Sequence, residues 1–586
     1  MIHLYCTIFK KTIMKNKITL LCICLCITLI SESQTVEWHQ HFGGYSEDVM
    51  LSVATDNNDN TYTTGYFAET STFDTVTLSG LGFFNGFVTK TDSAGNVLWA
   101  KSLAQPNDSD IDPYHSVIPK SISVDLNGNV IIVGYFDAGE FDANPGSGEY
   151  ILSSTNYEMF IVKLDTNGNF IWATSFGATD DSFESITDVG TDSNGDIYVT
   201  GYFNSTISIA HAAGTSSITS SGYSDIFVLK YASDGYYVWM YSAGGTDFDL
   251  GMSIDVTPTG DSYITGQYRE TATFYTPMFG PGLITLSTTA NYRGLFVLKL
   301  DASGNYQNAI KVGEAESECI GTSIAIDSNN YAYITGYYGG ILTANEGTSE
   351  ELTIDSDSNY EAFVAKVDFT NVNTSWIKEI DGGAESIFGY GIETDSNNNI
   401  YATGFFSATL TVGDYTLTKQ TTHVFDSYLL KLNSSGEFSA AYQFGAINAI
   451  ETQPITVDTN DNIIVAGSFR ETADISPFST EDLQITSSGF RDNYLFKIAA
   501  SNLLSITDNN IDNALKVYPN PVDDILYISS YQSINSKNYT IFDVNGKFIL
   551  SGKLSLNNQI NISNLNGGFY FLSLNEGSQT YKILKK

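Results

Sequence analysis

The segment NTYTTGYF, residues 60–67, returns six more times along the chain and decides the fold. Its later versions read NVIIVGYF, DIYVTGYF, DSYITGQY, YAYITGYY, NIYATGFF and NIIVAGSF. The shared glycine recurs at intervals of 63 to 70 residues, at Gly65, Gly134, Gly201, Gly266, Gly336, Gly404 and Gly467. Such regular spacing indicates one structural unit that is copied seven times.

Each unit contains four strand-like pieces, which we name a, b, c and d in chain order. The quoted segment is strand b, and a short apolar run such as LSVATD (51–56) precedes it as strand a. Strand d often carries a tryptophan, and turns such as DSAGN join c to d, because Gly and Asn tolerate positive φ. Strand c ends in a lysine, at Lys90, Lys163, Lys230, Lys299, Lys366, Lys431 and Lys497. The pattern predicts an all-β fold, a seven-bladed β-propeller.

The seventh unit lacks a strand d of its own. It ends in strand c, YLFKIAAS at 494–501, whereas VEWHQHF at 36–42 has the pattern of a strand d without its preceding partners. We predict that this N-terminal strand pairs beside residues 494–499, because a three-stranded blade would otherwise expose an unpaired edge. The N-terminal strand then closes the propeller.

These units resemble the SBBP β-propeller family. The closest segments are DSAGNVLWAKSL (92–103), DSNGDIYVTGYF (192–203) and EAFVAKVDF (361–369). The resemblance covers about residues 36–500 and implies the fold, but it implies no particular reaction.

The ends of the chain differ from the repeat. Residues 1–34 predict a cleaved signal peptide, since lysines precede the apolar run ITLLCICLCITLI. The propeller is assigned to 35–500, and SNLLSITDNNIDN (501–513) has the composition of a polar linker. We expect a small β-sandwich in residues 514–586.

The C-terminal segment resembles the sorting domain that the type IX secretion system of Bacteroidota recognises. The matching pieces are VYPNPVDD (517–524), IFDVNGKFI (541–549), LNGGFYFLSL (565–574) and the terminal YKILKK. The resemblance implies the type IX machinery as a partner and a secreted protein, either released or anchored at the outer surface of the outer membrane. The residues that carry the signal are Pro519, Asn520, Pro521, Asp543, Gly546, Gly568, Tyr570, Lys585 and Lys586.

The charge balance restricts the partners. The chain has 66 acidic against 27 basic residues and a net charge of −39, which argues against nucleic acid and anionic membrane surfaces. It makes metal cations plausible partners. After signal cleavage Cys319 is the only cysteine, so no internal disulfide is expected, and no transmembrane segment is predicted in the mature chain.

Strand order separates two faces. The a–b and c–d turns share one face, the turn face, while the d–a and b–c connections share the other, the loop face. The loop-face connections are longer and more varied, so we expect a ligand site there. The ligand-face candidates are Glu47, Asp48, Asp180, Asp181, Asp247, Asp249, Glu314, Glu316, Arg269 and Arg470.

Calcium is the one candidate cofactor. Asp108, Asp110 and Asp112 in NDSDID (107–112) are its best local ligands, because calcium prefers several oxygen atoms. The favoured alternative for the loop acids is solvated surface charge.

Several other polar or aromatic positions have a structural interpretation. The a–b turn aspartates, such as Asp56, are interpreted as turn caps rather than metal ligands. Each strand-c lysine is expected to lie on the neighbouring blade and pair with a turn aspartate. Aromatic pairs after the glycine, such as Tyr66 and Phe67, are expected to pack between blades, with sugar stacking as the alternative. The arginines lie at matching places in the fourth and seventh units, which favours internal duplication over an anion clamp.

The sequence therefore predicts a secreted or cell-surface binding or display module for a glycan or protein. No serine elbow, HExxH motif or phosphate loop is present, and no catalytic residue is assigned. A carbohydrate-active enzyme that uses loop-face carboxylates is the first alternative, and a structural surface component is the second.

Overall fold

The computed structural model describes residues 36–105, 115–178, 184–275, 283–289, 292–315, 318–383, 385–420, 423–476 and 483–503, and, near the C-terminus, 516–518, 522, 524–529, 538–543, 547–554, 559–574 and 579–586. The chain divides into two compact parts, residues 1–504 and 505–586. In these described ranges the regular structure is β-strand, apart from one 3-10 helix at Ala500–Leu503.

Four strands recur in each of the repeat units that the sequence defines. Strands a are β2 (Asp48–Thr55), β8 (Val117–Val124), β14 (Ser185–Thr191), β20 (Leu250–Val256), β26 (Cys319–Ile326), β30 (Ile387–Thr394) and the second part of β35 (Phe438–Val457). Strands b are β3 (Thr61–Phe67), β9 (Val130–Phe136), β15 (Ile197–Phe203), β21 (Ser262–Arg269), β31 (Ile400–Phe406) and the first parts of β27 (Ala332–Ala344) and β36 (Ile463–Asp474).

Strands c and d complete the units. Strands c are β6 (Asn85–Thr91), β12 (Glu158–Leu164), β18 (Asp225–Tyr231), β24 (Arg293–Leu300), the second part of β28 (Leu352–Asp368), β34 (Asp426–Leu432) and β38 (Asp492–Ile498). Strands d are β7 (Val97–Leu103), β13 (Phe170–Phe176), β19 (Tyr237–Gly244), β25 (Tyr306–Ala315), β29 (Asn373–Ile380), the first part of β35, and β1 (Val36–Gly43).

Within a unit the four strands pair antiparallel in the order a–b–c–d, as in β2–β3–β6–β7. Every residue of β6 and of β18 is buried, because sheets of neighbouring units cover both faces of strand c. The sequence already indicates this burial, since the odd and the even positions of strands b and c are both apolar, as expected for strands that are covered on both sides.

The N-terminal strand β1 lies where the sequence places it. It pairs antiparallel with β38, with Trp38 opposite Lys497 and His39 opposite Phe496. The side chain of Phe42 is fully buried, in one cluster with Met50 of the first unit and Leu495 of the seventh. The predicted pairing beside residues 494–499 is therefore present.

The same strand makes the contact that tryptophans of other units make with the next unit. Trp38 Nε1 donates to the carbonyl of Ser93 at 3.0 Å, just as Trp99 Nε1 donates to the carbonyl of Thr166 at 3.3 Å. Gly95 has a φ of 91°, and a Cβ there would lie 2.8 Å from the Trp38 ring. Position 95 therefore requires glycine, both because its φ is positive and because a side chain would collide with the tryptophan ring.

Most of each b–c connection, which the sequence shows only as long and varied, is a β-hairpin. The separate hairpin strands are β4 (Thr70–Phe73) and β5 (Val76–Ser79), β10 (Gly139–Asp142) and β11 (Ile151–Ser154), β16 (Thr206–His211) and β17 (Gly214–Thr219), β22 (Thr271–Tyr275) and β23 (Leu283–Ser287), β32 (Thr409–Val412) and β33 (Tyr415–Thr418), and β37 (Gln484–Thr486) against β36. In the fifth unit the ends of β27 and β28 form the hairpin.

Each hairpin reaches strand d of the preceding unit. β4 pairs with β1 and β22 with β19, and single bridges such as Ala104 with Asp142 join other neighbours. The contact satisfies backbone groups at the end of strand d that would otherwise lack partners.

The C-terminal part has two sheets. β39 (Lys516–Tyr518), β40 (Ile525–Ser529) and β43 (Gln559–Asn561) form one sheet, and β41 (Asn538–Asp543), β42 (Phe548–Lys553), β44 (Gly568–Leu574) and β45 (Gln579–Lys585) form the other. Both sheets contribute to one hydrophobic cluster that includes Leu526, Ile541 and Leu572.

Candidate functional site

On the turn face, aspartates cap the a–b turns. Asp56 Oδ1 accepts the backbone N–H of Asn58 at 2.9 Å and of Asn60 at 3.0 Å. The same bonds to residues two and four positions on occur at Asp125, Asp192, Asp327, Asp395 and Asp458. The interpretation of these aspartates as turn caps is confirmed.

Most strand-c lysines join two units. The buried Lys163 lies 3.0 Å from Asp125 Oδ2 and donates to the carbonyl of Ser233 in the next unit at 3.0 Å. Lys90, Lys230, Lys299 and Lys497 also pair with turn aspartates. Lys366 differs, because its Nζ lies 3.8 Å above the Tyr331 ring centroid.

On the loop face, two predicted ligand acids instead hold the backbone. Asp48 Oδ2 accepts the N–H of Gly44 at 2.8 Å, and Asp249 Oδ2 accepts the N–H of Gly245 at 2.6 Å. Both carboxyl groups are fully buried. Burial raises the pKa of Asp48 to about 7 and that of Asp249 to about 8.

The remaining described acidic candidates form ion pairs. Glu47 lies 3.5 Å from Arg491, Asp247 lies 3.6 Å from Arg269, and Glu314 lies 2.7 Å from Lys311. Within the residues that the structure describes, no three or more His, Cys, Asp or Glu side chains converge as a metal site. Asp108, Asp110, Asp112, Asp180, Asp181 and Glu316 lie outside the described residues.

The aromatic pairs after the repeat glycine divide into two sets. Phe67, the second of its pair, is fully buried and belongs to the core cluster of Met50 and Phe87. Tyr66, the first, is half-buried and packs on Phe84, with ring centroids 4.6 Å apart. Packing between blades therefore explains the second members, while the first members lie at the loop face.

A further aromatic position escaped the sequence reasoning. An aromatic residue stands six or seven places before the strand-c lysine in every unit, at Phe84, Tyr157, Tyr223, Tyr292, Tyr360, Phe425 and Phe490. These residues lie directly before strand c, at the loop face, and Tyr157, Tyr223 and Phe490 are 46–65% exposed. Their spacing from the lysine was the signal that could have revealed them.

The arginines of the fourth unit lie together. Arg269 and Arg293 are opposite each other on β21 and β24. They line a cavity of about 240 Å³ with Phe248, Leu250, Gln267 and Tyr268. In the seventh unit, the guanidinium of Arg470 lies 4.0 Å from the centroid of the Phe490 ring.

Strands a surround a central cavity of about 560 Å³. Asp188 bridges three units there, because it accepts hydrogen bonds from Ser121 Oγ and Ser253 Oγ, both at 2.7 Å. Burial raises the pKa of Asp255 to about 6 and that of Glu393 to about 8. Asp255 also joins two strands a, since it accepts the N–H of Ile326 at 2.8 Å.

One carboxyl pair lies beside strand c of the fifth unit. Tyr338 Oη donates to Glu379 Oε1 at 2.7 Å and lies 3.3 Å from Glu361 Oε2. Burial, and then the neighbouring Glu379, raise the pKa of Glu361 to about 8. Glu361 is only 2% exposed, so a substrate has no access to it.

In the C-terminal part, the described signal residues lie on the second sheet. Tyr570 Oη donates to the carbonyl of Asn566 at 2.9 Å, and Lys585 Nζ lies 3.5 Å from Asp524. Asp543 ends β41 and Gly568 begins β44, opposite Lys585. Pro519, Asn520, Pro521 and Gly546 lie outside the described residues, as does the predicted signal peptide.

Three comparisons with known proteins cover different parts of the chain. Residues 516–586 match the secretion system C-terminal sorting domain. An uncharacterized WD repeat-containing protein of Acanthamoeba polyphaga mimivirus is 23% identical in an alignment of 526 positions that covers 75% of this chain and 36% of that protein. The chain thus spans about a third of the length of that relative.

Two solved structures align at low similarity. The Dos1 propeller is 7% identical, with 80% of this chain and 97% of that chain covered and a TM-score of 0.38. The quinohemoprotein alcohol dehydrogenase of Comamonas testosteroni is 10% identical, with coverages of 84% and 79% and a TM-score of 0.36.

In the described part of the chain, no helix has the length and apolarity to cross a membrane. The residues of the repeat region form an all-β structure whose strands pair as in a β-propeller. Residues 516–586, which come after it in the chain, are a secretion system C-terminal sorting domain.

Proposed function

We propose that the protein is a seven-bladed propeller, closed by strand β1, that type IX secretion exports and whose loop face binds a glycan. The sorting domain implies passage through the outer membrane, followed by release or attachment at the cell surface. The assigned domains are the signal peptide 1–34, the propeller 35–500, the linker 501–513 and the sorting domain 514–586.

Contacts between the seventh and first units support closure. Thr459 N–H donates to Asp59 Oδ1 at 3.0 Å, as Ser396 N–H donates to Asp461 Oδ1 at 2.9 Å between the sixth and seventh units. Both acceptors have φ near +60°. The ring therefore uses one kind of turn-to-turn contact at both junctions.

The aromatic residue before strand c carries the binding proposal. It recurs in all seven units, although only some of its rings are needed to fill space. An exposed ring offers an apolar platform for a sugar face, and nearby carboxylates accept hydrogen bonds from hydroxyl groups. A purely structural surface component gives no reason to keep exposed rings at this position.

A glycan array probed with the secreted protein tests the proposal. We expect binding that falls about tenfold or more on Tyr157→Ala, because the substitution removes a stacking surface worth about 1.4 kcal/mol. Tyr236→Ala is the matched control, since Tyr236 is 70% exposed but lies in a c–d turn on the opposite face. Absence of any glycan binding, or equal loss in the control, contradicts the proposal.

A carbohydrate-active enzyme is the alternative, and the partly exposed loop-face carboxylates Glu47 and Asp247 are the features that favour it. Incubation with a polysaccharide panel distinguishes the two functions. Turnover that is abolished by Glu47→Gln or Asp247→Asn, with glycan binding retained, would establish the enzyme.

A further inference from the structure

The cavity at Arg269 and Arg293 combines cationic and aromatic groups on the loop face. The chain has only four arginines, and two of them line this one space of about 240 Å³. Pockets for drug-sized ligands are about 300–1,000 Å³. The cavity therefore suits a group the size of one sugar residue.

Acidic partners hold both guanidinium groups in place. Arg293 Nη1 lies 2.5 Å from Glu318 and donates to Gln267 Oε1 at 3.3 Å, and Arg269 Nη1 lies 3.6 Å from Asp247. In the described part of the chain these contacts use only Nη1 of each group, whereas a guanidinium has five N–H donors. Both arginines line the cavity and remain about one-third exposed.

An aromatic platform adjoins the arginines. Phe248 lines the cavity and is 45% exposed. Its ring stacks on Tyr223, with centroids 5.1 Å apart and planes inclined by 10°. Two exposed parallel rings beside two cations match a ligand with an apolar ring face and an anionic group.

We infer that this cavity binds the carboxylate-bearing residue of an acidic glycan. Arg269 and Arg293 hold the carboxylate through N–H···O bonds, and Phe248 stacks on the pyranose ring. This inference rests on the proposed glycan-binding function and names its ligand class. The net charge of −39 repels densely charged polymers, so the ligand carries isolated acidic residues.

The seventh unit supplies a matched control. Arg470 and Arg491 occupy the positions of Arg269 and Arg293 relative to the repeat glycine and lysine. There Arg470 covers Phe490 itself and Arg491 pairs with Glu47. The duplicated arginines thus pack against the protein's own ring in one unit and line a cavity in the other.

Calorimetric titration of the full secreted protein with methyl β-D-glucuronide and methyl β-D-glucoside tests the inference. The two probes share a pyranose ring and differ in the carboxylate. We expect the glucuronide to bind at least about tenfold more tightly, and Arg269→Gln or Arg293→Gln to remove that preference. Arg293→Lys should restore only part of it, because an ammonium lacks the planar fork, and Arg491→Gln should change nothing.

The other outcomes distinguish the inference from the proposed function. Equal binding of both probes, unaffected by Arg293→Gln but lost in Phe248→Ala, overturns the carboxylate site and leaves glycan binding intact. Acetate binding as tightly as the glucuronide overturns the sugar part. Failure of both probes overturns the inference, while the glycan array decides the proposed function separately. Thermal unfolding of each variant confirms that it remains folded.

Discussion

The turn face and the loop face of the propeller differ in how closely the units repeat the same residues and contacts. On the turn face, aspartate caps and tryptophan-to-carbonyl bonds recur between units with nearly the same distances. On the loop face, the strand-d residue beside the start of strand c is serine in the first three units but differs in each of the other four: Ser102, Ser175, Ser242, Lys311, Glu379, Gln443 and His41. Repeated contacts hold neighbouring units together, so specificity should lie where the repeats disagree.

Deleting residues 36–43 removes strand β1 and should have the largest effect of all the changes considered. The deletion exposes the edge of β38 and removes the buried Phe42, so we expect the cooperative unfolding transition of the repeat region to be lost. Calorimetry measures the transition, and a synthetic peptide of residues 35–46 should restore it. A deletion variant that melts within about 2 °C of the intact protein would contradict closure by β1.

Comparing Lys163→Met with Lys366→Met tests how much the buried ion pair of the second unit stabilises the fold. The substitution leaves Asp125 buried and uncompensated, so we expect a loss of about 3–5 kcal/mol in unfolding free energy. Lys366→Met is the control, with an expected loss of about 1 kcal/mol, because Lys366 contacts a tyrosine ring. Urea unfolding checks both, and equal losses would show that the ion pair is unimportant. Glycan binding should be unchanged in either variant.

Buried loop-face carboxyl groups predict that stability falls as pH rises. The folded-state pKa of Asp48 is about 7 against an ordinary value of 3.8. Between these values the native state keeps a proton that the unfolded state has released, so raising the pH lowers the unfolding free energy by up to about 1.4 kcal/mol per unit.

Melting temperatures at pH 5 to 8 check this effect. Asp48→Asn should flatten the decline, because its amide oxygen still accepts the Gly44 N–H without titrating. The turn aspartate Asp56 provides the contrast. Its hydrogen bonds to Asn60 lower its pKa against the opposing effect of burial, so its contribution is lost only in acid. A decline of equal slope in Asp48→Asn would exclude Asp48 as a cause.

The smallest effect concerns the turn that joins the first and seventh units. Asp59 has a φ of 60°, where the second, third and fourth units have glycine. Asp59→Gly relieves the backbone but loses the bonds from Thr459, so we expect a net destabilisation of about 1 kcal/mol or less. Chemical unfolding measures it. A stabilised variant would show that this closing contact contributes nothing.

Much of the fold was predictable because its causes are local. Alternating apolar residues and turn glycines identify each strand a, b, c and d, and the surplus strand at Val36–Gly43 has one vacant edge to fill. The hairpins in the b–c connections were missed, although TISIAH, one of their strands, alternates in polarity. Their pairing depends on the preceding unit, which spacing within one unit does not reveal.

The candidate site was less predictable than the fold. Asp48 and Asp249 were expected to face a ligand, yet their carboxyl groups are buried and hold glycine N–H groups. A loop acid has the same sequence signature whether it caps a turn or faces solvent. The difference depends on which backbone groups lie within hydrogen-bonding distance.

By itself, the sequence determined the repeat and the strand order, because both follow from residue types at short, regular spacings. It also determined the partner of the N-terminal strand, because only the seventh unit lacked a strand d. The C-terminal sorting signal followed instead from the resemblance of its motifs to a known sorting domain. Only the tertiary structure decided that Arg269 and Arg293 line one cavity with Phe248. That grouping combines residues from a d–a connection and from both sides of a hairpin. It depends on how closely these segments approach one another in the folded chain, and no local sequence pattern encodes that distance.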